Sequence, residues 1–355
     1  MKYMFVIPSL NFGGAERVVS ILSSELVKKG LESTVLIYFK TNNEYRVHEN
    51  VKKVYLSDGY ESDYDKMNYY KRLFGIRKII KSEKPDYVIP FLPHVCIQTT
   101  FSLLFLKFKI IQTIRNNPID SPKNKYQRKL RDFLINHSDK TIVQNETQKQ
   151  YFDKKVHKKI YVLPNPVRDD LFDVEKNKTD EKFIIASAGR LNYQKNFKML
   201  IDSVENICKD NDNVILQIYG DGELKDELQS YINEKSLQKS VFLMGRTNDM
   251  KTMLSSIDLY ILSSNFEGMP NSLMEAMAAG VPSISTDCPT GPADIITDGE
   301  NGFLVPVDDS ISMEKAIKKM MNSNMDLIAK NGRAFVKKNY SPEKIVRKLI
   351  DICKA

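Results

Sequence analysis

A chain of 355 residues exceeds the length at which a single hydrophobic core stops growing, so the sequence predicts two domains. Hydrophobic residues make up 42% and charged residues 28% of it, as in ordinary globular proteins, and its most hydrophobic later window, 101–111, is too short to span a bilayer. Residues 1–166 hold 29 Lys and Arg against 16 Asp and Glu (+13), whereas the remainder carries −5, so the first half is expected to meet an anionic phospholipid surface or nucleic acid.

In the first half, short β-rich runs alternate with amphipathic helical windows, which is typical of parallel sheets with crossover helices. We predict strands at 3–8, 33–39, 86–91, 109–114 and 140–144. The segment LPNPV, at 163–167, then breaks the alternation with two prolines.

The same alternation restarts after this break. We predict strands at 183–189, 213–220, 241–245, 258–264 and 282–287. The sequence therefore predicts an α/β protein of two doubly wound, Rossmann-like domains, 1–166 and 167–340, that face each other across a cleft.

Ligands of doubly wound sheets bind beyond the carboxyl ends of the strands, so the loops that follow strands are candidate sites. After the first strand, Gly13 and Gly14 open a long helix. Adjacent glycines let a ligand approach the backbone, and the N–H groups of a helix start favour a phosphate, although a tight turn explains the pair equally well. The spacing is not G-x-G-x-x-G, which weakens an NAD interpretation.

The loop after the first strand of the second half, GRLNYQKN at 189–196, carries two cations. Arg190 offers a planar fork and Lys195 a point charge, a combination that suits a diphosphate. Two solvated surface cations are the alternative interpretation. The Gly-Asp-Gly turn at 220–222 is interpreted as structural.

The segment NFEGMPNSLMEAMAAGVP, at 265–282, places Glu267 and Glu275 on either side of a helix start. Pro270 lacks an N–H, so the next three amides are the donors offered to an anion. Ser272 and Glu275 also match a capping box, which would give Glu275 a structural role. Glu267 precedes the helix, so a capping box does not account for it. Two carboxylates around an anion cradle suit a ligand with hydroxyls at both ends and phosphates between, which is the shape of a nucleotide sugar.

Several motifs occur in order along the chain: GGAER (13–17), GRL-x3-K (189–195), GDG (220–222), E-x7-E in EGMPNSLMEAMAAGVP (267–282) and GPADII-x-D-G-x-N-G-F-L-V (291–305). Together they resemble the retaining GT-B glycosyltransferases of family 4, close to those that build bacterial surface polysaccharides and lipid-linked oligosaccharides. The resemblance covers nearly the whole chain.

By this resemblance the second domain binds a nucleotide sugar, with UDP as the expected nucleotide. Glu267 would contact the donor sugar, Arg190 and Lys195 would neutralise the diphosphate, and His94 would complete the catalytic set. Glu275 would contact the ribose hydroxyls. The expected donor-binding residues are Gly13, Gly14, Gly189, Arg246, Gly268, Met269, Asn271, Ser272 and Glu275.

The same resemblance assigns residues of the first domain. His94 follows a strand near where related enzymes keep a residue that contacts the sugar ring, and a plain surface or core histidine is the alternative. Arg115 and Asn116 open the expected acceptor side, the alternative for Arg115 being a structural salt bridge. Asp294 stands where the family commonly carries glutamate, which leaves the equivalent contact open. The final helix, 341–355, is expected to cross back onto the first domain.

Enzymes of this family are thought to retain the anomeric configuration because the acceptor attacks the face that the diphosphate leaves. The diphosphate oxygen then takes the acceptor proton, so Glu267 and Glu275 are expected to position the donor and not to act as a glycosidase pair. Asp210-Asn211-Asp212 imitates the D-x-D motif of metal-dependent glycosyltransferases of another fold, but it lies at the wrong end of a strand. We expect neither a metal nor a cofactor.

Two basic segments, 69–84 and 123–140, place cations beside apolar residues at helical spacing. An acceptor carried on polyprenyl diphosphate lies at the anionic inner face of the membrane, which these segments would approach, unless they are merely solvated. The N-terminal apolar run is too short for a signal peptide, and the four cysteines form no C-x-x-C pair. We therefore expect a cytoplasmic enzyme, peripherally associated with the inner face of the membrane.

Two other functions stay open on the sequence. A UDP-sugar epimerase of similar two-domain fold would process the donor without an acceptor, although E-x7-E together with GRL-x3-K favours transfer. A nucleic-acid-binding protein would also account for the basic first half, but the sequence contains no helix-turn-helix, zinc-finger or RNP-type motif. Glucose, galactose, GlcNAc and GalNAc are equally compatible donors.

Overall fold

Two parallel sheets organise the chain, each within its own unit. The computed structural model describes residues 1–11, 13–119, 122, 124–177, 181–247 and 249–355. One unit consists of Met1–Pro166 together with Pro342–Ala355, and the other of Val167–Ser341. By sequence the first unit holds 33 Lys and Arg against 18 Asp and Glu (+15) and the second 20 against 27 (−7), so the excess of positive charge belongs to the first.

The sheet of the first unit has seven parallel strands. They are β1 (Lys2–Ile7), β2 (Glu32–Ile37), β3 (Lys52–Tyr55), β4 (Tyr87–Pro90), β5 (Lys109–Thr113), β6 (Lys140–Val143) and β7 (Ile160–Val162). Their order across the sheet is β3-β2-β1-β4-β5-β6-β7, and every pairing is parallel. The chain therefore winds outward from β1 in both directions, which defines a doubly wound sheet.

Helices cover both faces of this sheet. They are α1 (Gly14–Lys28), α2 (Glu61–Lys66), α3 (Tyr69–Glu83), α4 (Pro93–Ser102), α5 (Lys125–His137), α6 (Glu146–Gln150), a 3₁₀ helix (Lys154–Lys159) and the C-terminal helix (Pro342–Lys354). Tyr3, Phe5 and Ile7 of β1 pack with α1 and the C-terminal helix, whereas Met4 and Val6 pack with α3 and α4. Successive side chains of a strand point to opposite faces, so β1 is buried on both sides. Lys123, where the second basic segment starts, lies outside the described residues.

The sheet of the second unit has six parallel strands. They are β8 (Phe183–Ala188), β9 (Val214–Tyr219), β10 (Val241–Gly245), β11 (Leu259–Leu262), β12 (Ser283–Thr286) and β13 (Phe303–Val305). The order is β10-β9-β8-β11-β12-β13. The strand order thus reverses between β8 and β11, and this switch point is where doubly wound sheets bind their ligands.

The second sheet is also covered on both faces. Its helices are α7 (Phe197–Asp210), α8 (Lys225–Glu234), α9 (Met250–Ser256), α10 (Asn271–Ala278), α11 (Ser310–Met321) and α12 (Met325–Tyr340), with 3₁₀ helices at Asp169–Leu171, Tyr193–Lys195 and Pro292–Asp294. Leu259 and Ile261 of β11 join a core with α7, α8 and α11, while Tyr260 and Leu262 join a core with α9, α10 and α12. The predicted α/β class with two doubly wound sheets is confirmed.

Two further observations bear on the sequence expectations. Within the ranges given above, no helix is both long and apolar enough to cross a bilayer. The four cysteines, Cys96, Cys208, Cys288 and Cys353, are buried and free.

Candidate active site

The switch point of the second sheet carries two of the predicted motifs. Residues 189–196 follow β8, and residues 263–270 follow β11, its neighbour in the sheet. Because both strands are parallel, these two loops leave the sheet at the same carboxyl edge. The sequence motifs GRL-x3-K and E-x7-E are therefore brought together by the strand order.

An ion pair joins the two loops. Nζ of Lys195 lies 2.6 Å from Oε1 of Glu267, and 15% and 8% of the two side chains are exposed. The hydroxyl of Ser264 donates to the same oxygen at 2.7 Å, and Nε2 of Gln194 donates to Oε2 at 3.4 Å and to the carbonyl of Phe266 at 3.0 Å. Both carboxylate oxygens of Glu267 are thus engaged by donors from the protein.

Further hydrogen bonds fasten the loop after β8 to the loop after β11. Asn265 accepts from Asn196 Nδ2 at 3.0 Å and donates to the carbonyl of Tyr193 at 2.9 Å, while Ser263 donates to the carbonyl of Lys195 at 2.7 Å. Asn196 itself has φ +46 and ψ +50, a left-handed conformation that asparagine tolerates better than most residues, and it caps α7. The backbone around Lys195 is therefore held before any ligand binds.

Glycines let the loops after β8 and β9 approach closely. Gly220 has φ +152, and a Cβ added there would lie 1.8 Å from the carbonyl oxygen of Gly189. A Cβ on Gly222 would lie 2.4 Å from the carbonyl oxygen of Leu191. Since both obstacles are backbone atoms, the GDG turn packs directly under the GRL loop, which agrees with its structural interpretation.

Glu275 lies inside α10 and is 2% exposed. The helix begins directly after Pro270, and its first bond runs from Met274 N to Pro270 O, so Ser272 is a helical residue and not the N-cap. Within the described chain no side chain caps this helix start. The capping-box interpretation of Glu275 is therefore wrong, because the proline fixes the helix start two residues earlier than a Ser272 cap would.

Tyr260 connects the elements that carry the two glutamates. Its hydroxyl lies 3.3 Å from both the amide nitrogen and the carbonyl oxygen of Ala188, the last residue of β8. Burial, followed by the nearby carboxylates of Glu267 and Glu275, raises the pKa of Tyr260. A neutral hydroxyl therefore sits within electrostatic reach of both carboxylates.

The segment after β12 closes over the same loop. Thr290 donates to the carbonyl oxygen of Glu267, and Gly291, with φ +106, lies so close that an added Cβ would be 2.8 Å from Pro270 Cδ. Gly268 and Met269 are buried between these elements. Asp294 in the same segment is exposed, and its carbonyl accepts from the Tyr340 hydroxyl at 3.0 Å.

The two arginines of the expected donor site are both exposed. Arg190 follows Gly189, and in the described residues no carboxylate pairs with it. Nε of Arg246 lies 3.5 Å from Asp221 Oδ2, with 75% and 46% of the side chains exposed, so this pair contributes little to stability. Both guanidinium groups remain accessible to a ligand.

The predicted first-unit residues lie at the carboxyl edge of the first sheet. Gly13 precedes α1, and an added Cβ there would meet the Glu16 carboxylate at 2.3 Å; Gly14 is exposed. His94 is exposed in the first turn of α4, yet the protein around it lowers its pKa by partial desolvation. Asn116 is exposed.

Arg115 makes no salt bridge with any residue in the described part of the chain. Its Nη1 donates to Asn165 Oδ1 at 3.0 Å, and its guanidinium lies 4.4 Å from the ring centre of Phe91. Both partners are uncharged.

No group of three or more His, Cys, Asp or Glu among the described residues has the arrangement of a metal site. The Asp210–Asp212 segment precedes β9 and so lies at the amino edge of the sheet, away from the loops described above.

Several residues of the site carry no recognisable motif. Ser263, Ser264, Gln194, Asn196 and Tyr260 are neutral, and their roles depend on the pairing of two distant loops. The sequence feature that could have identified some of them is the polar pair Ser263-Ser264 directly after a buried strand, because polar residues at a strand's carboxyl end often face a ligand.

Comparison with known proteins identifies the family of this chain. Residues 169–340 match the family described as "Glycosyl transferases group 1", and residues 12–171 match "Glycosyltransferase Family 4". An uncharacterized glycosyltransferase of Methanocaldococcus jannaschii is 33% identical over 250 residues, which cover 64% of this chain and 61% of that protein.

A second relative aligns over most of both chains. It is an α-1,4-N-acetyl-D-galactosaminyltransferase of Campylobacter jejuni, 30% identical over 328 residues, 91% of this chain and 89% of the relative. Its name gives an oligosaccharide on PP-undecaprenol as its acceptor.

A solved structure shares the fold. A point mutant of S. aureus TarM, in complex with fondaparinux, α-GlcNAc-glycerol and UDP, superposes with a TM-score of 0.84 at 16% identity over 100% of both chains. This likeness confirms the predicted GT-B fold class. With both halves matched in order and a relative aligned over nine-tenths of its length, the chain belongs to the group 1 glycosyltransferases of family 4.

Proposed function

We propose that the protein transfers a hexose or N-acetylhexosamine from a UDP-sugar to a glycan on polyprenyl diphosphate, with retention of configuration and without a metal, in the synthesis of a bacterial surface polysaccharide. The observation that carries the proposal is the buried Lys195–Glu267 pair at the switch point of the second sheet. The acceptor class is drawn from the Campylobacter relative, and UDP from the ligand of the TarM structure.

In this proposal the second unit binds the donor. Lys195, held beside Glu267, and the exposed Arg190 supply positive charge where the diphosphate would lie. As the bond between the anomeric carbon and the diphosphate breaks, negative charge grows on the leaving oxygen, and fixed cations stabilise that charge without reorganisation. The buried Glu275 accepts hydrogen bonds from the ribose, and the loop around Arg246 receives the base.

Glu267 serves as a positioning group in this mechanism. Its two oxygens accept from Lys195, Ser264 and Gln194, so its charge is dispersed over protein donors. A carboxylate engaged in this way can share its remaining lone pairs with sugar hydroxyls. The acceptor hydroxyl attacks the anomeric carbon on the face that the diphosphate leaves, and its proton passes to the departing phosphate oxygen.

In this proposal the first unit supplies the acceptor side, through the loop that carries Gly13 and Gly14 and the turn that carries His94. Its surface also fits an anionic membrane. Tyr70 and Phe74 lie one turn apart on α3 and are 71% and 70% exposed, and Phe105, at φ +65, is 99% exposed. Basic residues with exposed aromatic side chains are the composition of membrane-surface helices.

Tyr70, Phe74 and Phe105 form an apolar tip of the first unit, and a hydrogen-bonded arginine holds it in place. Nη1 of Arg77 on α3 donates to the carbonyls of Ser102 and Leu104 at 3.0 and 2.9 Å, which fixes the turn that presents Phe105. An exposed phenylalanine next to a cationic helix is costly in water and favourable in a bilayer interface. The proposed partner of this surface is the inner face of the cell membrane.

The experiment is an acceptor-dependent transfer assay with purified protein, a panel of UDP-sugars and a short-chain polyprenyl-diphosphate glycan. We expect one UDP-sugar to be consumed only when the acceptor is present, with an α-linked product by NMR and no loss of rate in EDTA. Conversion of the donor to an epimer without acceptor would favour the epimerase. Loss of rate in EDTA that magnesium restores would overturn the metal-free mechanism.

A further inference from the structure

The guanidinium group of Arg115 contacts only uncharged groups among the described residues. It lies just beyond the carboxyl end of β5, the edge at which doubly wound sheets bind ligands. Asn165 accepts from its Nη1 at 3.0 Å, and the ring of Phe91 lies under the guanidinium at 4.4 Å. Neither contact supplies negative charge.

The other two nitrogens, Nε and Nη2, are buried and meet no acceptor among the described residues. They form one side of the guanidinium fork, which grips a carboxylate or a phosphate through two parallel hydrogen bonds. Arg115 as a whole keeps partial exposure. Burial lowers the pKa of Arg115 to about 9, which still leaves it protonated at neutral pH.

A second buried arginine of the first unit has a charged partner. Arg131, which is 4% exposed, is paired with a carboxylate, since its Nε donates to Asp132 at 2.9 Å. A buried charge is costly unless it is paired, and removing the pairing group leaves a large penalty. Arg115 therefore has the surroundings of a cation whose anion arrives with a ligand.

The neighbouring backbone supports a ligand site at this place. Phe91, which contacts Arg115, is followed by Leu92 with φ +78, an unfavourable conformation for a residue with a side chain, and then by the turn that carries His94. Strained backbone of this kind is concentrated at ligand-binding and catalytic positions. The arginine and the strained turn lie after neighbouring strands of the sheet.

We propose that Arg115 is the oxyanion-binding residue of the acceptor side, and that its Nε and Nη2 bind a phosphate ester or diphosphate of the acceptor. The acceptor assignment rests on the proposed function, because the same oxyanion chemistry occurs in the donor's diphosphate. A free diphosphate anion is therefore the simplest probe of the site.

The test combines two readouts on the full chain. Apparent KM values for acceptor and donor are measured separately for Arg115→Met and Arg115→Lys, and binding of inorganic pyrophosphate is measured by calorimetry. We expect Arg115→Met to raise the acceptor KM about 10- to 100-fold and to weaken pyrophosphate binding, with the donor KM unchanged. Arg115→Lys keeps the charge without the fork and should recover part of the loss.

Thermal stability separates a ligand-binding arginine from a structural one. Methionine replaces the stem of Arg115 without a charge to desolvate, so the melting temperature of Arg115→Met should be unchanged or higher. Arg333→Met is the control, because it removes bonds to backbone carbonyls and should lower the melting temperature while leaving both KM values unchanged.

Three results would overturn the proposal. A raised donor KM with an unchanged acceptor KM would assign the anion to the donor. Unchanged KM values with a lower melting temperature would make Arg115 structural. The third result concerns a wild-type protein that shows no transfer at all. Equal pyrophosphate affinity of wild type and Arg115→Met would then rule out the anion site. Pyrophosphate affinity that is lost in the variant would support the anion site, although the proposed function would fail.

Discussion

Nζ of Lys195 and Oε1 of Glu267 are 2.6 Å apart although 72 residues separate them in the sequence. The pair joins the loop after β8 to the loop after β11 at the point where the strand order reverses. It therefore serves two purposes in the proposed enzyme, since it fixes the architecture of the site and it holds a cation ready for the donor's diphosphate.

Breaking this pair should cost stability in a non-additive way. Lys195→Met removes the main counter-ion of a buried carboxylate and is expected to lower the free energy of unfolding by about 3 kcal/mol. The double variant Lys195→Met/Glu267→Gln removes both charges, so its loss should be smaller than the sum of the two single losses. Urea denaturation of the four proteins measures the coupling, and strictly additive losses would contradict the ion pair.

Gly220 should be intolerant of any side chain. Gly220→Ala would place a Cβ 1.8 Å from the carbonyl oxygen of Gly189 at φ +152, so we expect a loss of more than about 2 kcal/mol and weaker nucleotide binding. Gly299→Ala is the matched control, because its φ is also positive, +78, but nothing lies within 4 Å of the added Cβ. It should cost only about 1 kcal/mol. Equal losses in the two variants would show that the close approach to Gly189 does not matter.

Stability should fall at alkaline pH. Burial raises the pKa of the thiols of Cys96 and Cys208 to about 11 and of Cys288 and Cys353 to about 12. In the unfolded chain they ionise near pH 9, so the folded state binds protons more tightly. The contribution of these protonated thiols to the free energy of unfolding is complete below pH 9. It is lost as the pH rises toward 11, by about 1.4 kcal/mol per thiol per pH unit.

Denaturation curves at pH 8, 9, 10 and 11 measure this dependence. Cys208→Ala removes one of the four thiols and should therefore show a shallower decline than the wild type. Stability that stays constant up to pH 11 in the wild type would contradict the burial of the thiols.

The apolar tip of the first unit should govern membrane binding. Phe74→Ser and Phe105→Ser remove exposed aromatic rings and should reduce flotation with anionic liposomes at low salt, while transfer to a soluble acceptor analogue is retained. Ile311→Ser, which removes a 65% exposed side chain from α11, is the control. If wild type stays with the soluble fraction, or if all three variants float equally well, this surface is not the membrane contact.

The buried strands were predictable because a strand covered on both faces consists of an apolar run. β8 and β11 lie within the predicted segments 183–189 and 258–264. β3, β7 and β13 were not predicted, since β7 and β13 have three residues each and the sequence of β3 is KKVY, which is half lysine. Such short strands form because a neighbouring strand offers a partner, which the local sequence does not reveal.

The charged residues of the candidate site could be singled out from the sequence because cations directly after a buried strand suit an anionic ligand. Ser264, Gln194 and Asn196 were not, because neutral polar residues are common in loops and acquire a role through tertiary pairing. The alternative interpretation of Glu275, a capping box with Ser272, does not hold for a local reason, since α10 begins at Asn271, directly after Pro270.

The central claim is that the second unit binds a nucleotide sugar through Arg190 and Glu275, and calorimetry tests it most directly. UDP-sugars, GDP-sugars and NAD are titrated into wild type, Arg190→Ala and Glu275→Ala, with Lys209→Ala as a control that removes an exposed cation at the opposite edge of the sheet. The account predicts that a UDP-sugar binds wild type and the control alike and binds each site variant at least about tenfold more weakly. Absence of nucleotide-sugar binding, or binding unaffected by both substitutions, would contradict it.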